Sequence, residues 1–455
     1  MNTGRRRGSS ILAGLLLVLI GVLFLIDIYQ PEMRLGHVIA VYWPVLLIVW
    51  GLAKILDYVV AQNRHEAKPA IVSGGEAALI VVLVIVLGGF VIRDWVRDRY
   101  PHFNFDMPRV GPSYTRNEAL PPQTIPADAR LAIDIPRGDI SVQGKSGNQL
   151  LVNAQKTIWG MRQSSERAAQ QAGVEVYISG GLYRIAPAIG FGGRARDNYD
   201  LSVQAPASAN VAASTTHGDI RIAGVAGSTQ AHSGYGDIAV QNAGADVAVN
   251  LTRGDARISG AAGSVRVTGR GGDVNISDVK GNASVDGPFY GTIRATNVAQ
   301  GIHCALPWTQ MSVGQLSGKL ETDLGDLSIS GASGPLKIST HNSDVSVENV
   351  SGPIDISDAH SDVNVSFSAP PQGDINIKND AGDVTVSLPE QSSFEVAATS
   401  RGGDADSDFS GGQLGVSSIN GNGQIIGRVG SSGGPRITIT TSYGTIHLRK
   451  TSSNQ

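Results

Sequence analysis

Carboxylates recur in this sequence at a fixed interval. Asp219, Asp237, Asp255 and Asp273 stand 18 residues apart, each directly after a glycine. If that interval is one turn of a solenoid, the four side chains form a column with neighbours about 4.8 Å apart. Two such charges repel by roughly 1 kcal/mol in water-like surroundings and by about 3–4 kcal/mol at an effective dielectric of 20. The column therefore needs a counter-charge or hydrogen-bond donors. Calcium meets that need in nonapeptide β-rolls with a G-G-x-G-x-D-x-U-x repeat. This sequence lacks the double glycine and offers one carboxylate per turn on that edge. The opposite edge reads Ser228, Asp246, Ser264 and Asn282, or Pro335 and Pro353 further on. Turn N–H groups and solvent are the expected partners, and a metal-free ladder is the expectation.

The remaining reactive residue types are scattered. His217, His232, His341 and His360 sit near turns, but at differing offsets from their aspartates, so they do not align into one column. Polysaccharide-acting β-helix enzymes gather Asp, Glu, Lys, Arg or His on one outer sheet, and no such gathering is legible. His303-Cys304 is the one adjacent base–thiol pair, in the irregular stretch 297–313 that also holds Trp308 and Met311. Cys304 is the single cysteine, which excludes a disulfide framework and a cysteine-pair metal site. Arg137-Gly138-Asp139 and Arg253-Gly254-Asp255 spell an integrin-binding tripeptide, yet the turn already requires Gly-Asp there. A net charge of −3 without a basic stripe argues against nucleic acid. No catalytic, cofactor-binding or metal residues are expected, and the chain reads as a non-enzyme.

The elements that carry these residues follow from the repeat. Residues 224–241 (GVAGSTQAHSGYGDIAVQ) and 260–277 (GAAGSVRVTGRGGDVNIS) match, as do 331–348 and 349–366. Each unit is two half-units of nine, with a small residue, a polar residue, then apolar–polar–apolar. In GDIRIAG, Ile220 and Ile222 share one face while Arg221 and Ala223 take the other, the period of a strand. Strands this short bury their apolar face only by stacking on the next rung, so a fixed short period signals a solenoid. Aromatics are 5% of the chain, in keeping with a narrow interior. The predicted architecture is a parallel β-helix, an all-β solenoid with an 18-residue double repeat, over 127–450.

The phase slips in places. It advances by ten to Gly291-Thr292-Ile293, then by 27 to Gly318-Lys319-Leu320, and by twelve between Asp362 and Asp374. Residues 297–313 read as a bulge or loop. A short helix is predicted over 161–172, and longer strands near 174–178 and 199–203 cap the first rung. At the far end a Gly/Ser/Asp-rich loop over 401–434 precedes a closing ITITTSYGTIHLRK.

The N-terminal part is of another kind. Residues 11–28, 38–56 and 77–92 are apolar runs that read as membrane spans. No Ala-x-Ala site follows the first, so it reads as a span and not a cleaved signal. Trp43, Trp50 and Trp95 fall near segment edges, as an aromatic belt would place them. Arg5, Arg6 and Arg7 put residues 1–10 in the cytoplasm, although Arg93, Arg97, Arg99 and Arg109 pull the other way. With the first helix decisive, three crossings leave the solenoid outside the cytoplasmic membrane. Residues 93–126, with six prolines between Pro101 and Pro126, read as a semi-extended stalk.

The stretch Trp43-Pro44-Val45-Leu46-Leu47-Ile48 resembles the transmembrane region of Lia-type bacterial envelope-stress proteins. The repeated Gly-Asp-Ile/Val units resemble the toastrack, or adhesin-like, β-helix domain. So does the ending, with Leu388-Pro389-Glu390 before FEVAATS and a final Ser442-Tyr443-Gly444-Thr445-Ile446. The resemblance implies a multi-pass membrane protein of the bacterial envelope, with a binding or scaffold solenoid and a link to envelope stress. A surface adhesin or structural module is the alternative. The partner class is an envelope protein or polysaccharide, besides the membrane itself.

Overall fold

The computed structural model describes residues 113–159, 173–188, 197–323, 325–411 and 413–451. The three apolar runs, the N-terminal ten residues, the first part of the proline-rich stretch and the predicted helix over 161–172 lie outside them. Among the described residues no helix is long and apolar enough to cross a membrane. What is described is all β.

Two ladders of parallel strands alternate along the chain. The first holds the strands that follow each Gly-Asp turn: Ile220–Ala223, Ile238–Ala243, Ala256–Ala261, Val274–Val279 and Ile293–Val298. The second holds Asn210–His217, Thr229–Tyr235, Val247–Leu251, Val265–Gly269, Asn282–Asp286 and Gly301–Ala305. Ile220 pairs with Ile238, Ile238 with Ala256 and Ala256 with Val274, the predicted 18-residue register without a slip. The apolar–polar–apolar triplets point as predicted: Ile222 is 1% exposed, and Arg221 beside it is exposed. Both ladders turn their Val, Ile and Ala side chains into one continuous core.

Glycine at the corner is a matter of space as much as of conformation. Gly236 has φ of 146°, and a Cβ there would lie 2.1 Å from the carbonyl oxygen of Gly218 on the rung before. No side chain fits that gap. At the other corner a left-handed residue recurs, Gly224, Asn242, Gly260, Asp278 and Asn297, with φ between 52° and 70°. Asparagine and aspartate tolerate that region better than other side chains do.

The structure departs from the sequence reading in four places. Residues 297–313 are not a loop: Gly301–Ala305 and Thr309–Thr322 form an antiparallel pair, turning through Leu306 to Trp308. The strand Thr309–Thr322 runs back across both ladders, pairing with Gly301–Ala305 and then with Ile293–Val298. Gly318-Lys319-Leu320 thus belongs to an antiparallel rung, with Leu320 opposite Ala295, and is not a further parallel turn. Asp326–Thr340 reverses once more and restarts the parallel winding in both ladders. Alternation in the 309–322 segment buries Thr309, Met311, Val313, Leu316, Leu320 and Thr322, enough apolar surface to hold a full rung.

The second departure is the loop over 401–434, which contains Ala405–Ser407 and a hairpin of Leu414–Ile419 with Asn422–Val429. Its turn is Asn420-Gly421, both left-handed at φ of 53° and 73°, the pair that two-residue hairpins favour. Third, the closing strands are not the end of the stack. Arg436–Tyr443 slots between Ile375–Ala381 and Phe394–Ser400, so the excursion over 394–429 lies beyond it. Fourth, the stretch read as stalk is already sheet from Ser113, where Ser113–Ala119 pairs antiparallel with Gln149–Trp159. At that end Asn198–Pro206, with Gln149–Trp159 outside it, covers Ile140–Lys145, and Leu182–Pro187, with Val174–Ser179 outside it, covers Arg130–Arg137, so the strands expected near 174–178 and 199–203 both lie in the cap.

Candidate functional site

The column of carboxylates exists, and its partners are the backbone N–H groups of the next rung. The N–H of Asp237 donates to Asp219 Oδ1 at 3.0 Å, that of Asp255 to Asp237 at 3.0 Å, and that of Asp273 to Asp255 at 2.9 Å. The chain of bonds extends back through Asp139 to Asp200 and forward to the N–H of Thr292. After the reversal it resumes through Asp344, Asp362 and Asp383 to Thr445. Each carboxylate thus accepts the exposed turn N–H of the next rung, a charge-assisted bond that offsets repulsion along the column. Arginines add to this on the outside: Arg221 lies 2.9 Å from Asp219, and Arg257 bridges Asp255 and Asp237 at 3.5 and 3.8 Å. The opposite edge works the same way at lower charge, through Asn210 to Ser228 and Asp246 to Ser264.

The two integrin-like tripeptides are part of this corner. Gly254 has φ of 131°, Asp255 is engaged as above, and Arg253 stacks over Tyr235 at 5.3 Å. Tyr235 in turn stacks on His217, with centroids 4.7 Å apart and planes within 9°. Residues one position before the corner glycine therefore form a column of their own, with His217 against Tyr235 and Arg137 opposite His217.

His303 and Cys304 do not meet as a catalytic pair. Strand alternation points His303 outward and buries Cys304 completely. Burial, and then the nearby Asp286 charge, push the thiol up to about 12, far from thiolate chemistry. His232 lies on the outer face of the second ladder, its Nδ1 3.0 Å from Asn250 Oδ1, and Asn250 donates to Thr268 at 3.1 Å. These three line a shallow groove floored by Ala132, Ala212 and Ala248 and edged by the Asp134–Arg184 ion pair. His341 and His360 are exposed near corners of the second run and do not join this row.

One cluster escaped the sequence reading. His447 Nδ1 lies 3.0 Å from Asp406, Arg449 reaches Asp406 at 3.0 Å and Asp408 at 3.1 Å, and the N–H of Lys450 donates to Asp408. That backbone bond first, with Arg449 adding to it, holds the Asp408 carboxyl below its usual range. The residues come from Ala405–Ser407 with the Asp408 that follows it, and from Ile446–Thr451, some forty positions apart, so no local motif announces them. Among the described residues no three His, Cys, Asp or Glu side chains gather as a metal-binding set.

The outward faces of both ladders are polar, with side chains repeated at the strand spacing of about 4.8 Å. The toastrack model, DUF4097, matches residues 195–304 and again 261–449. Among curated proteins none matches the chain. A solved structure of a candidate cell adhesion protein from Clostridium sporogenes shares 8% identity over 75% of this chain and 100% of its own, with a TM-score of 0.15. A candidate adhesin from Bacteroides fragilis shares 10% over 75% and 98%, with a TM-score of 0.20. One from Parabacteroides distasonis shares 9% over 75% and 98%, at 0.16. At such scores none of them transfers a role. The family match is different: it covers more than half of the sequence and coincides with the repeat, so this chain belongs to the toastrack DUF4097 family.

Proposed function

We propose that the chain is a membrane-anchored protein of the bacterial envelope whose toastrack solenoid acts, without catalysis, as a binding and scaffold surface in the response to envelope stress. The observation that carries the reading is the use of the turn carboxylates. They form a structural ladder from rung to rung, which leaves the outward side chains of both ladders to meet a partner. A rigid repeat of this kind offers an extended contact face. The apolar runs at 11–28, 38–56 and 77–92 supply the anchor in this reading, with the solenoid outside the cytoplasm. An envelope protein or polysaccharide is the partner class.

The test is to remove the gene, challenge the cells with cell-wall-active agents and measure adhesion in parallel. Sensitivity restored only by the full-length chain supports the proposal. An adhesion defect restored by the solenoid on any unrelated anchor would favour a surface adhesin instead. Hydrolase or lyase activity of the purified chain on envelope polysaccharide, lost on changing His447 or Asp406, would overturn both.

A further inference from the structure

The solenoid has two corners, and the exposed aromatic side chains stand on one of them. Among the described residues these are Tyr290, Trp308 and Tyr443, at 62, 60 and 70% exposure. A single exposed apolar residue needs no explanation, but confinement to one edge does. Tyr290 and Tyr443 directly precede the corner glycines Gly291 and Gly444, the position that His217, Tyr235 and Arg253 hold on other rungs. Trp308 lies in the turn one rung beyond Tyr290, where the Gly287 N–H donates to Ala305 O at 3.0 Å. At the opposite corner the aromatic residues Phe367 and Phe409 are each only 4% exposed.

Every tyrosine of this edge has an arginine on a neighbouring rung. Arg253 lies over Tyr235 at 5.3 Å. The Tyr290 N–H donates to Gly271 O at 3.1 Å, beside Arg270. The Arg401 N–H donates to Thr441 O at 3.1 Å, and a Cβ on Gly402 would meet the Tyr443 ring at 2.8 Å. Arg253, Arg270 and Arg401 are exposed and belong to no ion pair of the described residues. The carboxylate column gives way at the same places. Gly236 and Gly382 are followed by Asp237 and Asp383, but Gly291 and Gly444 by Thr292 and Thr445. At Trp308 the chain reverses with no corner aspartate at all.

We propose that this edge, from Arg253 to Arg401, binds an extended acidic glycan, a β-1,4-linked pyranose chain that carries carboxylates. Aromatic rings stack on the apolar C–H face of a pyranose, and guanidinium groups pair with carboxylates. From the strand ending at Asp286 to the strand ending at Tyr443 the ladder advances by six pairings, about 29 Å at the strand spacing. A β-1,4 chain is straight and advances by nearly one strand spacing per ring, so successive rings stay in step with the rungs. A bilayer would ask for a contiguous apolar patch, whereas exposed His341 and His360 interrupt this row. The edge gives the binding surface proposed above its place and its ligand chemistry, and rests on that reading.

Isothermal titration of the purified full chain against three probes tests the site. The probes are an oligomannuronate, which is an acidic β-1,4 chain, cellohexaose, its neutral counterpart, and poly-L-glutamate, which is acidic without rings. The oligomannuronate should bind about tenfold or more tighter than either of the others, and less tightly as salt rises. Trp308→Ala and Tyr443→Ala should each weaken it by about five- to tenfold. Arg270→Gln and Arg401→Gln should lower affinity and flatten the salt dependence. All four side chains are exposed, so melting temperatures should hold, and Lys280→Gln at the opposite corner should leave binding unchanged. No binding of the oligomannuronate, equal binding of poly-L-glutamate, or affinity unmoved by both aromatic changes would overturn the proposal. So would equally tight cellohexaose with no effect of the arginine changes. The titration needs no cells, which keeps the site separate from the stress role. A gene deletion without sensitivity would sink that role and leave a measured affinity standing, while rescue by a chain that binds no probe would sink the site alone.

Discussion

The two runs of the solenoid, before and after the antiparallel rung at Thr309–Thr322, solve one problem with different freedom. In the first run, partners lie 18 residues apart from Ile220 to Val274, and the last step stretches by one residue to Ile293. In the second, Val345 pairs with Val363 in the same step, but Val363 then pairs with Val384, and Val384 with Ile446. Inserted residues leave at the turns and the strands re-enter register. Burial enforces this, because a slip by one residue would turn the whole apolar set outward. The carboxylate ladder survives every insertion, since it needs only the corner aspartate and the next corner N–H. Strand geometry is thus strict in both runs, and turn length is not.

The largest effect should come from breaking that strict part. Ile222→Asp places a carboxylate in the core and should cost about 4 kcal/mol or more, whereas Arg221→Asp next to it should cost about 1 kcal/mol or less, from a lost exposed ion pair and a new like-charge neighbour. Chemical denaturation of the purified chain measures both, and equal losses would mean that the inward and outward assignments are wrong. Next in size are the corners. Gly236→Ala in the first run and Gly382→Ala in the second force a Cβ to 2.1 and 2.2 Å from a carbonyl oxygen of the rung before. Each should cost about 2–3 kcal/mol. A loss confined to one run, seen in the denaturation midpoint, would show that the two corners are not equivalent.

The smallest effect tests the seam between the runs. Cys304 is fully buried on the strand that pairs with the antiparallel rung, its thiol pushed up to about 12 by burial and then by Asp286. An aromatic disulfide reagent should leave it unmodified at neutral pH until denaturant unfolds the chain. Rapid labelling of the native protein would show the seam opening on its own, and the two runs behaving as separate units.

Much of this was legible in advance because its cause is local. Ile220, Ile222, Ile238 and Val240 declare a strand face by alternation, and the 18-residue interval declares which rungs touch. The antiparallel rung was harder. Its Gly318-Lys319-Leu320 imitates a corner, and only the pairing of Leu320 with Ala295 reveals the reversal. The hairpin at Asn420-Gly421 carried a readable turn signal that the surrounding Gly and Ser obscured. His447 and Asp406 could not be paired from sequence, since their contact depends on Arg436–Tyr443 and Ile446–Thr451 threading back inside an excursion of the chain.

The sequence by itself determined the repeat, the core-facing residues and the aspartate column, because side-chain alternation and stacking depend on spacing alone. Tertiary structure decided where the winding reverses, which strands end the stack, and what each buried polar atom meets. Those outcomes depend on partners far apart in the chain. Asp358 shows the division most clearly. Its type was always in view, but its burial beside Asn379 and Thr441 emerges only once three strands from 354 to 443 lie side by side.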